Sequence, residues 1–573
     1  MFIPQIFPNF AVLFSMTMKK FTIYIFVALA TCVTIGNFSS YARQRASSAN
    51  VSRNVRIFSA ILQNLNDVYV DTLDFDKLSR EAIDYMLYQI DPYTTYYASD
   101  ELEEFTSIAS GHYGGIGCVI SKVGDSIVAY QPHYGKPARN SGLLHGDRFV
   151  EIDGHAITPA TTTEDASKWL RGDANTHIIV KVQRPYLNDS IITLDITRKD
   201  IEVDPMPYFH LDDEGIGYIN TTGFDENLAT RIEEAINEMS ASGNLNGLIL
   251  DLRGNPGGLL ESAVQIVGLF VDKGTEVVRI QGFEDADRKV YKSTRKPLAP
   301  TLPLVVLINN GSASSSEIVA GALQDLDRAV IVGSRSFGKG LVQGSRRLPY
   351  DGILKITHAR YYIPSGRLIQ VLDYSHRDSD GDPIPVPDSL RKEWRTAHGR
   401  IVLDGGGITP DVIDEDTTLN SLLYNAINGD WAYNFATYFR HTNGAELPIE
   451  WHPDSTTFND FKQFLAYQNP TYDHVCDMGI KYLRDAVKIE GYTNDSVTAA
   501  IDALAAMLQH NLDHDLEFNR QKLIRMLDME ISERYFSEGQ CVERRLKEDS
   551  SFDIARNILL DPEKYRSILS PAD

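Results

Sequence analysis

The sequence "LPLVVLINNGSASSSEIVAGAL", residues 302–323, changes from a strand pattern to a helix pattern within a few positions. Its apolar run ends in Asn-Asn-Gly, and an amphipathic helix pattern begins directly after a cluster of serines. Four serines fall within five positions: Ser312, Ser314, Ser315 and Ser316. Strands and helices alternate in the same way over residues 201–370, which predicts an α/β sheet covered by helices.

Two interpretations of the serine cluster fit the pattern. Ser314 to Glu317 matches a capping box, with Ser314 as the N-cap and Glu317 as the third helical residue. A serine at a strand-to-helix turn also stands at the edge of a sheet, beside backbone N–H groups that lack partners and can hold an oxyanion. The pattern alone leaves a cap and a nucleophile both open.

A nucleophilic serine needs a base, and the segment contains no histidine. Lys339 lies 25 residues beyond Ser314, far enough for one helix and one strand to return the chain to the same sheet edge. The stretch around it, "SRSFGKGLVQG", is rich in glycine, and burial lowers the pKa of a lysine so that its amine can act as a base. Gln343, four positions later, is a candidate to orient this amine.

A second interpretation uses the same lysine. Ser336 and Lys339 match the S-x-x-K motif of penicillin-recognising enzymes. Those enzymes also carry S-D-N and K-T-G, and neither tripeptide occurs in this chain. The glycines at positions 338 and 340 also disfavour the helix that this motif needs. The serine at position 314 is therefore the stronger candidate.

Composition limits the classes of partner. A chain of 573 residues predicts three or four domains. A net charge of −23 repels phosphate backbones, so we do not expect nucleic acid as a partner. The four cysteines form no C-x-x-C pair, and the acidic run at residues 378–383 lacks the spacing of an EF-hand, so no metal site is expected. A single Cys476–Cys541 bridge stays open.

The N-terminus has the pattern of an export signal. Lys19 and Lys20 precede the uncharged run "FTIYIFVALATCVTIG" of 16 residues, and the small-residue sequence "SYA" follows. The run is shorter than the about 20 residues that cross a membrane. Cleavage of the signal and retention as an inner-membrane anchor both fit, and the expected location is the periplasm or the cell envelope.

Composition and periodicity divide the chain into five parts. Residues 107–200 read as short β-runs interrupted by two helical patterns, "KPARNSGLLHGD" and "TEDASKWLRG". The predicted divisions are a signal peptide or anchor over 1–42, a helical region over 43–106, a β-rich domain over 107–200, an α/β core over 201–414 with a polar insertion at 371–404, and a helical region over 415–573.

Several motifs, in this order, resemble the carboxyl-terminal processing peptidases, also called tail-specific proteases. They are "LILDLRGNPGG", "GSASSSEIVAGALQD", "GSRSFGKGLVQ", "ARYYIPSGRLIQ" and "GGGITPDV", preceded by "QIDPYTTYY". The resemblance spans roughly residues 55–414, and the C-terminal region is similar to long members from Bacteroidetes-type bacteria. It implies an α/β (α+β multidomain) fold with a ClpP/crotonase-like protease core, an inserted PDZ-like domain, an N-terminal helical segment and an all-helical C-terminal region.

The resemblance also implies roles for single residues in a Ser/Lys serine endopeptidase. Ser314 would be the nucleophile, Lys339 the general base and Gln343 the residue that orients the lysine. The oxyanion donors would be the backbone N–H groups of Ser315 and of Gly257 or Gly258. No metal or cofactor is implied. The alternative is a catalytically silent PDZ scaffold on the same fold.

The resemblance to PDZ domains implies partners as well. The "YGGIG" loop would offer backbone N–H groups to the C-terminal carboxylate of a substrate, which would add as a strand beside "IGCVI". The implied binding residues are Tyr113, Gly114, Gly115, Ile116 and Gly117, with Leu143 and Leu144 lining or backing the pocket. Proteins or peptides with apolar C-termini are the implied substrates. The C-terminal helices could form a homo-oligomer or dock an adaptor, and both remain open.

Overall fold

The computed structural model describes residues 48–102, 112–187, 190–202, 204–378, 381–414, 420–472, 475–508 and 511–570. The predicted export signal lies outside these residues. Within the described parts of the chain, no helix combines the length and the hydrophobicity needed to cross a membrane. The chain divides into two compact units, residues 1–86 and 87–573.

Residues 48–86, the described part of the first unit, are mainly helical, as the apolar periodicity predicts. It contains α1 (Ser48–Val68) and most of α2 (Phe75–Tyr88), and none of the residues of α1 is buried. The second helix ends ahead of Asp91-Pro92, because a proline disfavours the helical conformation of the residue before it. In the second unit, the short strand β1 (Thr95–Tyr97) follows the end of α2.

The PDZ-like domain is a small sheet closed by two helices. Its main sheet has the order β3-β4-β5-β7-β8, with β6 paired to β5, while β2 and β9 form a separate antiparallel pair. A compact apolar core includes Ile127, Phe149 and Val180. The elements are β2 (His112–Gly115), β3 (Cys118–Val123), β4 (Ser126–Pro132), α3 (Pro137–Asn140), β5 (Arg148–Ile152), β6 (His155–Ala156), α4 (Thr163–Leu170), β7 (His177–Gln183), β8 (Ile191–Thr197) and β9 (Lys199–Glu202).

The α/β core contains two sheets. The elements are β10 (Tyr208–Leu211), β11 (Ile216–Asn220), α5 (Leu228–Ser242), β12 (Gly247–Asp251), α6 (Leu260–Val267), β13 (Glu276–Gln281), β14 (Lys289–Lys292), β15 (Leu304–Ile308), α7 (Ser315–Asp325), β16 (Val330–Gly333), β17 (Leu341–Arg347) and β18 (Ile353–Tyr362). The first sheet has the order β10-β11-β12-β15-β16, extended by a short parallel strand, β23 (Val412–Ile413), and every pair except β10–β11 is parallel. The second sheet is antiparallel, with β1, β13 and β17 against β18, and β14 against β13.

The polar insertion is more regular than a solvated loop. It forms two antiparallel strand pairs, β19 (Leu372–Arg377) with β20 (Pro383–Pro385), and β21 (Glu393–Arg395) with β22 (Ile401–Leu403). Each strand is only three to six residues long, so an alternating pattern cannot be recognised in it. The high content of aspartate and proline also disfavours a strand prediction.

The C-terminal region is helical, as predicted. Its helices are α8 (Ser421–Asn428), α9 (Trp431–Asn443), α10 (Ser455–Gln468), α11 (Val475–Ile489), α12 (Asp495–Met507), α13 (Leu512–Phe518), α14 (Arg520–Tyr535), α15 (Glu538–Leu546), α16 (Ser550–Leu559) and α17 (Pro562–Ile568). Cys476 and Cys541 are free thiols, so the disulfide that the sequence left open is not formed in the structure.

The last helices complete the core sheet. One face of the parallel sheet packs on α5, α6, α7 and the antiparallel sheet. The other face, which includes Tyr218 and Val305, is covered by Val542 of α15 and by Ile558 and Leu559 of α16. Both faces of a parallel sheet need cover. The predicted multidomain α/β arrangement is confirmed, and the C-terminal region is physically part of its core.

Candidate active site

Two loops meet where neighbouring parallel strands end. Strand β12 runs beside β15, so the turn at residues 252–258 lies next to the serine cluster at residues 312–316. The backbone N–H of Ala313 donates to the carbonyl of Asn255 at 3.1 Å, which fixes one loop on the other. The carboxyl edge of an open parallel sheet is where α/β proteins generally bind their ligands.

Three of the four serine hydroxyls hold this junction together. The hydroxyl of Ser312 donates to the carbonyl of Leu252 at 2.8 Å, that of Ser316 to Asn255 at 2.8 Å, and that of Ser315 to Gly258 at 2.9 Å. The hydroxyl of Ser314 has no hydrogen-bond partner among the described residues. It also makes no cap hydrogen bond, although Ser314 occupies the N-cap position of α7 as predicted. Ser314 thus differs from the other three serines, because only its hydroxyl is without a partner among the described residues.

The backbone of Ser314 has a conformation that side chains rarely adopt. Its φ is 56° and its ψ is −113°. Strain of this kind persists only where the surroundings hold it in place. The Ser314 N–H donates to a carboxylate oxygen of Glu317 at 2.9 Å. The hydroxyl of Tyr361 donates to the carbonyl of Lys339 at 2.6 Å and lies 3.2 Å from the carbonyl of Ser314. The hydroxyl of Ser314 is therefore presented on a rigid backbone.

Two backbone amides beside Ser314 are unpaired among the described residues. They belong to Ser315, the first residue of α7, and to Gly258. The N–H of Gly257 is already used, because it donates to Oδ1 of Asn255 at 2.9 Å. Of the two glycines that the sequence offered, only Gly258 therefore has a free amide. Gly257 serves close packing instead, since a β-carbon there would lie 2.9 Å from the β-carbon of Ser314 and 2.9 Å from the nitrogen of Ser315.

Glu317 connects the segment of Ser314 to the segment of Lys339. This fully buried carboxylate accepts from the N–H groups of Ser314 and Lys339, both at 2.9 Å on Oε2, and from the N–H of Gly338 at 2.7 Å and the hydroxyl of Ser336 at 2.6 Å on Oε1. Burial raises the pKa of Glu317 to about 7, against the effect of these four donors. The sequence identified Glu317 only as a cap. Its hydrogen bonds to residues 336–339 could not be predicted, because they join segments that are distant in the sequence.

The amine of Lys339 faces an aromatic ring. Its Nζ lies 4.3 Å from the centroid of the Tyr93 ring. Among the described residues it forms no ion pair with a carboxylate, and no hydrogen bond joins it to the hydroxyl of Ser314. Burial lowers the pKa of the amine to about 8, and the positive charge of Lys355 acts in the same direction. A lysine in this state is partly neutral near physiological pH.

Gln343 lies on β17, the strand that follows Lys339 in the chain. It is opposite Thr357 in the β17–β18 pairing, and its Nε2 donates to Oγ1 of Thr357 at 3.0 Å. No hydrogen bond joins Gln343 to Lys339 among the residues described here. The side-chain oxygen of Gln343 is left without a protein partner in the same residues.

Ser336, the alternative nucleophile, is committed to a structural role. It is buried, its hydroxyl donates to Glu317, and that oxygen accepts from the N–H of Ile408 at 2.6 Å. Residues 334–340 are not helical. The S-x-x-K interpretation is therefore disfavoured by geometry as well as by the missing tripeptides.

A separate groove lies on the PDZ-like domain. It has a volume of about 70 Å³ and includes four residues of the predicted loop, Tyr113, Gly115, Ile116 and Gly117. Gly114 is not among its lining residues. The other walls are Cys118 and Ile120, which belong to the predicted binding strand "IGCVI", and Ser167, Leu170 and Arg171, which the sequence did not identify. The helix α4 was predicted, but only packing beside β3 shows that it lines this groove.

Leu143 and Leu144, which the resemblance implies to line or back the pocket, are not among the residues that line this groove. Leu143 is buried in the core of the PDZ-like domain, and both leucines border a different cavity of about 870 Å³ against the C-terminal helices. The helix predicted over their motif ends at Asn140, and Gly142, with a φ of 90°, turns the chain away. The leucines therefore follow the helix in a turn.

Comparison with known proteins places these regions in families. A model described as "Peptidase family S41" matches residues 215–373, a "PDZ domain" model matches residues 128–184, and "Probable PDZ-protease, C-terminal helical domain" matches residues 422–559. The first match contains both Ser314 and Lys339. The chain is thus similar to PDZ-containing peptidases along most of its described length.

Curated relatives cover much of the same length. The chain is 36% identical to the carboxy-terminal-processing protease of Bartonella bacilliformis, over 59% of this chain and 77% of that protein. It is 31% identical to a "Probable CtpA-like serine protease" of Staphylococcus aureus, over 81% of this chain and 92% of that protein. Among solved structures, the photosystem II D1 C-terminal processing protease is 27% identical, with 63% and 88% of the two chains covered and a TM-score of 0.38.

Proposed function

This chain belongs to the carboxy-terminal-processing proteases of peptidase family S41, and on that premise we propose that Ser314 is its nucleophile and Lys339 its general base. The observation that carries the proposal is the free hydroxyl of Ser314 beside two free backbone amides. The other three hydroxyls of the serine cluster are committed to the carbonyls of residues 252–258.

The proposed reaction has two stages. Neutral Lys339 removes the hydroxyl proton while the oxygen of Ser314 attacks the scissile carbonyl, and the N–H groups of Ser315 and Gly258 stabilise the tetrahedral oxyanion. The protonated lysine then donates to the leaving amine, which leaves an acyl-enzyme. Water then attacks this ester and gives a proton to the lysine. The lysine passes that proton to the leaving oxygen of Ser314, which releases the new C-terminus and restores the serine hydroxyl and the neutral amine.

The lysine must move before the first stage. Its amine rests on the Tyr93 ring, so a rotation of the side chain towards Ser314 is required. We assign to Gln343 the role of orienting the amine after that rotation. Its Nε2 is held by Thr357, and its side-chain oxygen is available to accept a hydrogen bond from the amine.

We further propose that the PDZ-like domain selects substrates by their C-terminal tails. The groove between β3 and α4 has the strand edge and the glycine loop that bind an extended peptide and its terminal carboxylate. Apolar walls such as Ile120 and Leu170 favour an apolar last residue. The basic and apolar N-terminal segment supports export to the cell envelope as the place of action.

Cleavage of a reporter protein with an apolar C-terminal tail tests the catalytic assignment. Ser314→Ala and Lys339→Met should each lower kcat by at least about a thousandfold, because each removes a group that takes part in the bond-forming step. Ser315→Ala is the matched control, since it keeps the backbone amide and removes only a committed hydroxyl, and it should stay within about tenfold of the native rate. Native rates in the Ser314→Ala or Lys339→Met variant would contradict the assignment.

The same reporter tests tail selection. A free apolar tail should be cleaved with a lower KM than the same tail with a C-terminal amide or a charged last residue. A substitution that fills the groove, Ser167→Trp, should remove this difference and leave kcat on saturating substrate nearly unchanged. Equal KM values for all tails in the native protein would contradict recognition by this groove.

A further inference from the structure

The segment "QIDPYTTYY", residues 89–97, contributes to the active site from far outside the α/β core. The carboxylate of Asp91 accepts from the N–H groups of Tyr93 at 2.8 Å and Thr94 at 2.7 Å, which folds the segment into a tight turn. The hydroxyl of Thr94 then accepts from the N–H of Thr357 at 3.2 Å, and β1 pairs with β18. This arrangement fixes Tyr93 on the sheet that also carries Gln343.

The ring of Tyr93 is held on both sides. Lys339 Nζ lies 4.3 Å from its centroid, and the ring of Tyr374 meets it edge-on at 6.1 Å with an interplanar angle of 87°. The hydroxyl of Tyr374 also donates to the hydroxyl of Tyr93 at 3.4 Å. Burial raises the pKa of the Tyr93 hydroxyl above its usual value, so the ring stays neutral at working pH.

The charged and titratable groups around the lysine lie on several elements. Lys355 of β18 opposes a positive amine, while Glu317 of α7 and Asp91 of the turn favour it. Tyr361 of β18 and Tyr374 of β19 are neutral neighbours of this centre, because burial raises the pKa of both hydroxyls. No carboxylate lies within ion-pair distance of Nζ among the described residues. The amine instead lies over the Tyr93 ring, 4.3 Å from its centroid.

An aromatic face distinguishes the two protonation states of a lysine. The ring quadrupole attracts an ammonium group, and this attraction is largely lost when the amine becomes neutral. We propose that Tyr93 is a positioning residue that holds the protonated Lys339 amine away from Ser314 and releases it when the proton passes to solvent water. This inference rests on the proposed role of Lys339 as the base.

The pH dependence of kcat/KM tests this role, because its acidic limb reports the protonation of the free enzyme. Tyr93→Leu keeps the burial but removes the ring, so the ammonium form loses stabilisation and the acidic limb should move to lower pH by about half a unit to one unit. Below the native midpoint this variant should therefore be faster than the native enzyme. A merely structural defect would not produce that gain.

Two further substitutions at position 93 keep an aromatic ring beside the amine. Tyr93→Phe keeps a ring of similar strength and should leave the limb within about 0.2 pH unit of the native position. Tyr93→Trp presents the strongest cation-binding face and should move the limb to higher pH. If the leucine variant does not fold, the order of the Phe and Trp midpoints still decides the question.

Tyr291→Leu is the matched control. Its ring lies 4.3 Å from Lys289 Nζ on the edge strand β14, so the variant loses a contact of the same length outside the site. Its acidic limb should coincide with that of the native enzyme. Coinciding limbs for the Leu, Phe and Trp variants at position 93, or an equal shift in the control, would overturn the proposal. If Lys339→Met remains active, the base assignment itself fails; if only the limbs coincide, the role of Tyr93 alone fails.

Discussion

At the scale of the residue, the carboxylate of Glu317 binds two different segments of the chain. As the third residue of α7 it binds the N–H of its own N-cap, as the capping pattern predicts. The same carboxylate also binds the N–H groups of Gly338 and Lys339. This side chain therefore joins the backbone of the candidate nucleophile to that of the candidate base, and the hydroxyl of Tyr361 makes a second bridge between their carbonyls.

Glu317→Gln should weaken both the fold and the activity. The amide keeps one acceptor oxygen, so two of the four donors would face an NH₂ group. Leaving buried donors unpaired costs about 1–3 kcal/mol each. We expect a melting temperature lower by several degrees and, at a temperature well below melting, a kcat lower by about ten- to a hundredfold.

Glu233→Gln is the matched control for this change. It makes the same substitution at a partly exposed ion pair with Arg295, where such pairs contribute only about 0–1 kcal/mol. Its melting temperature and kcat should stay near the native values. Equal losses at positions 233 and 317 would remove Glu317 from its connecting role.

At the scale of the element, the turn "RGNPGG" at residues 253–258 has to approach the N-terminus of α7 very closely. Gly257 has a φ of 99°, and no space exists for a side chain between it and Ser314. Gly258 offers its free amide directly afterwards. The turn therefore needs a glycine at position 257 because of the close approach to Ser314, and a glycine at position 258 so that the backbone amide can act as a donor.

Gly257→Ala should displace the turn from Ser314 and Ser315. The new β-carbon would lie 2.9 Å from both the β-carbon of Ser314 and the nitrogen of Ser315, closer than folded proteins tolerate. We expect kcat to fall by at least about tenfold, because one oxyanion donor is worth roughly a hundred- to a thousandfold when it is lost completely. Reporter cleavage measures this loss.

Gly254→Ala in the same turn separates backbone strain from the clash. Gly254 also has a positive φ, 68°, but a β-carbon there would meet open space. This variant should lose about 1 kcal/mol of stability and keep most of its kcat. If both variants lose activity equally, the close approach at Gly257 is not what limits the site.

At the scale of the whole molecule, the C-terminal helices do two different things. Helices α15 and α16 cover one face of the parallel sheet. Asp549, the N-cap of α16, also pairs with Arg253 at 2.6 Å, and Arg253 pairs in turn with Asp251 at the end of β12. The hairpin of α11 and α12 instead buries only Ile501 among its described residues.

Two deletions should therefore have opposite outcomes. Ending the chain after Phe536 removes α15–α17 and exposes the apolar residues of β11, β12, β15 and β16, so we expect aggregation or loss of the cooperative thermal transition. Replacing residues 475–508 by a flexible linker should leave the transition and the kcat near their native values. A stable, active truncated chain would show that the sheet does not need this cover.

The sequence by itself determined the local features. The strand-to-helix turn at residues 302–323, the N-cap at Ser314 and the partner position of Glu317 all follow from periodicity and capping, because these signals act within one helical turn. Hydrophobic periodicity also predicted the order of strands and helices in the core and the helical C-terminal region. The resemblance, carried by motifs such as "GSRSFGKGLVQ", supplied the family and its serine peptidase class, which the comparisons confirmed.

The tertiary structure alone decided which atoms meet. It distinguished the amide of Gly258 from that of Gly257 and placed Leu143 and Leu144 outside the lining of the groove. It also brought Tyr93 to Lys339 across 246 positions of the sequence and packed α16 on the parallel sheet. These contacts depend on how separate elements pack, and packing leaves no periodic mark on either partner. Hydrophobic patterning predicts which face of an element is buried, but it does not predict which other element packs against that face.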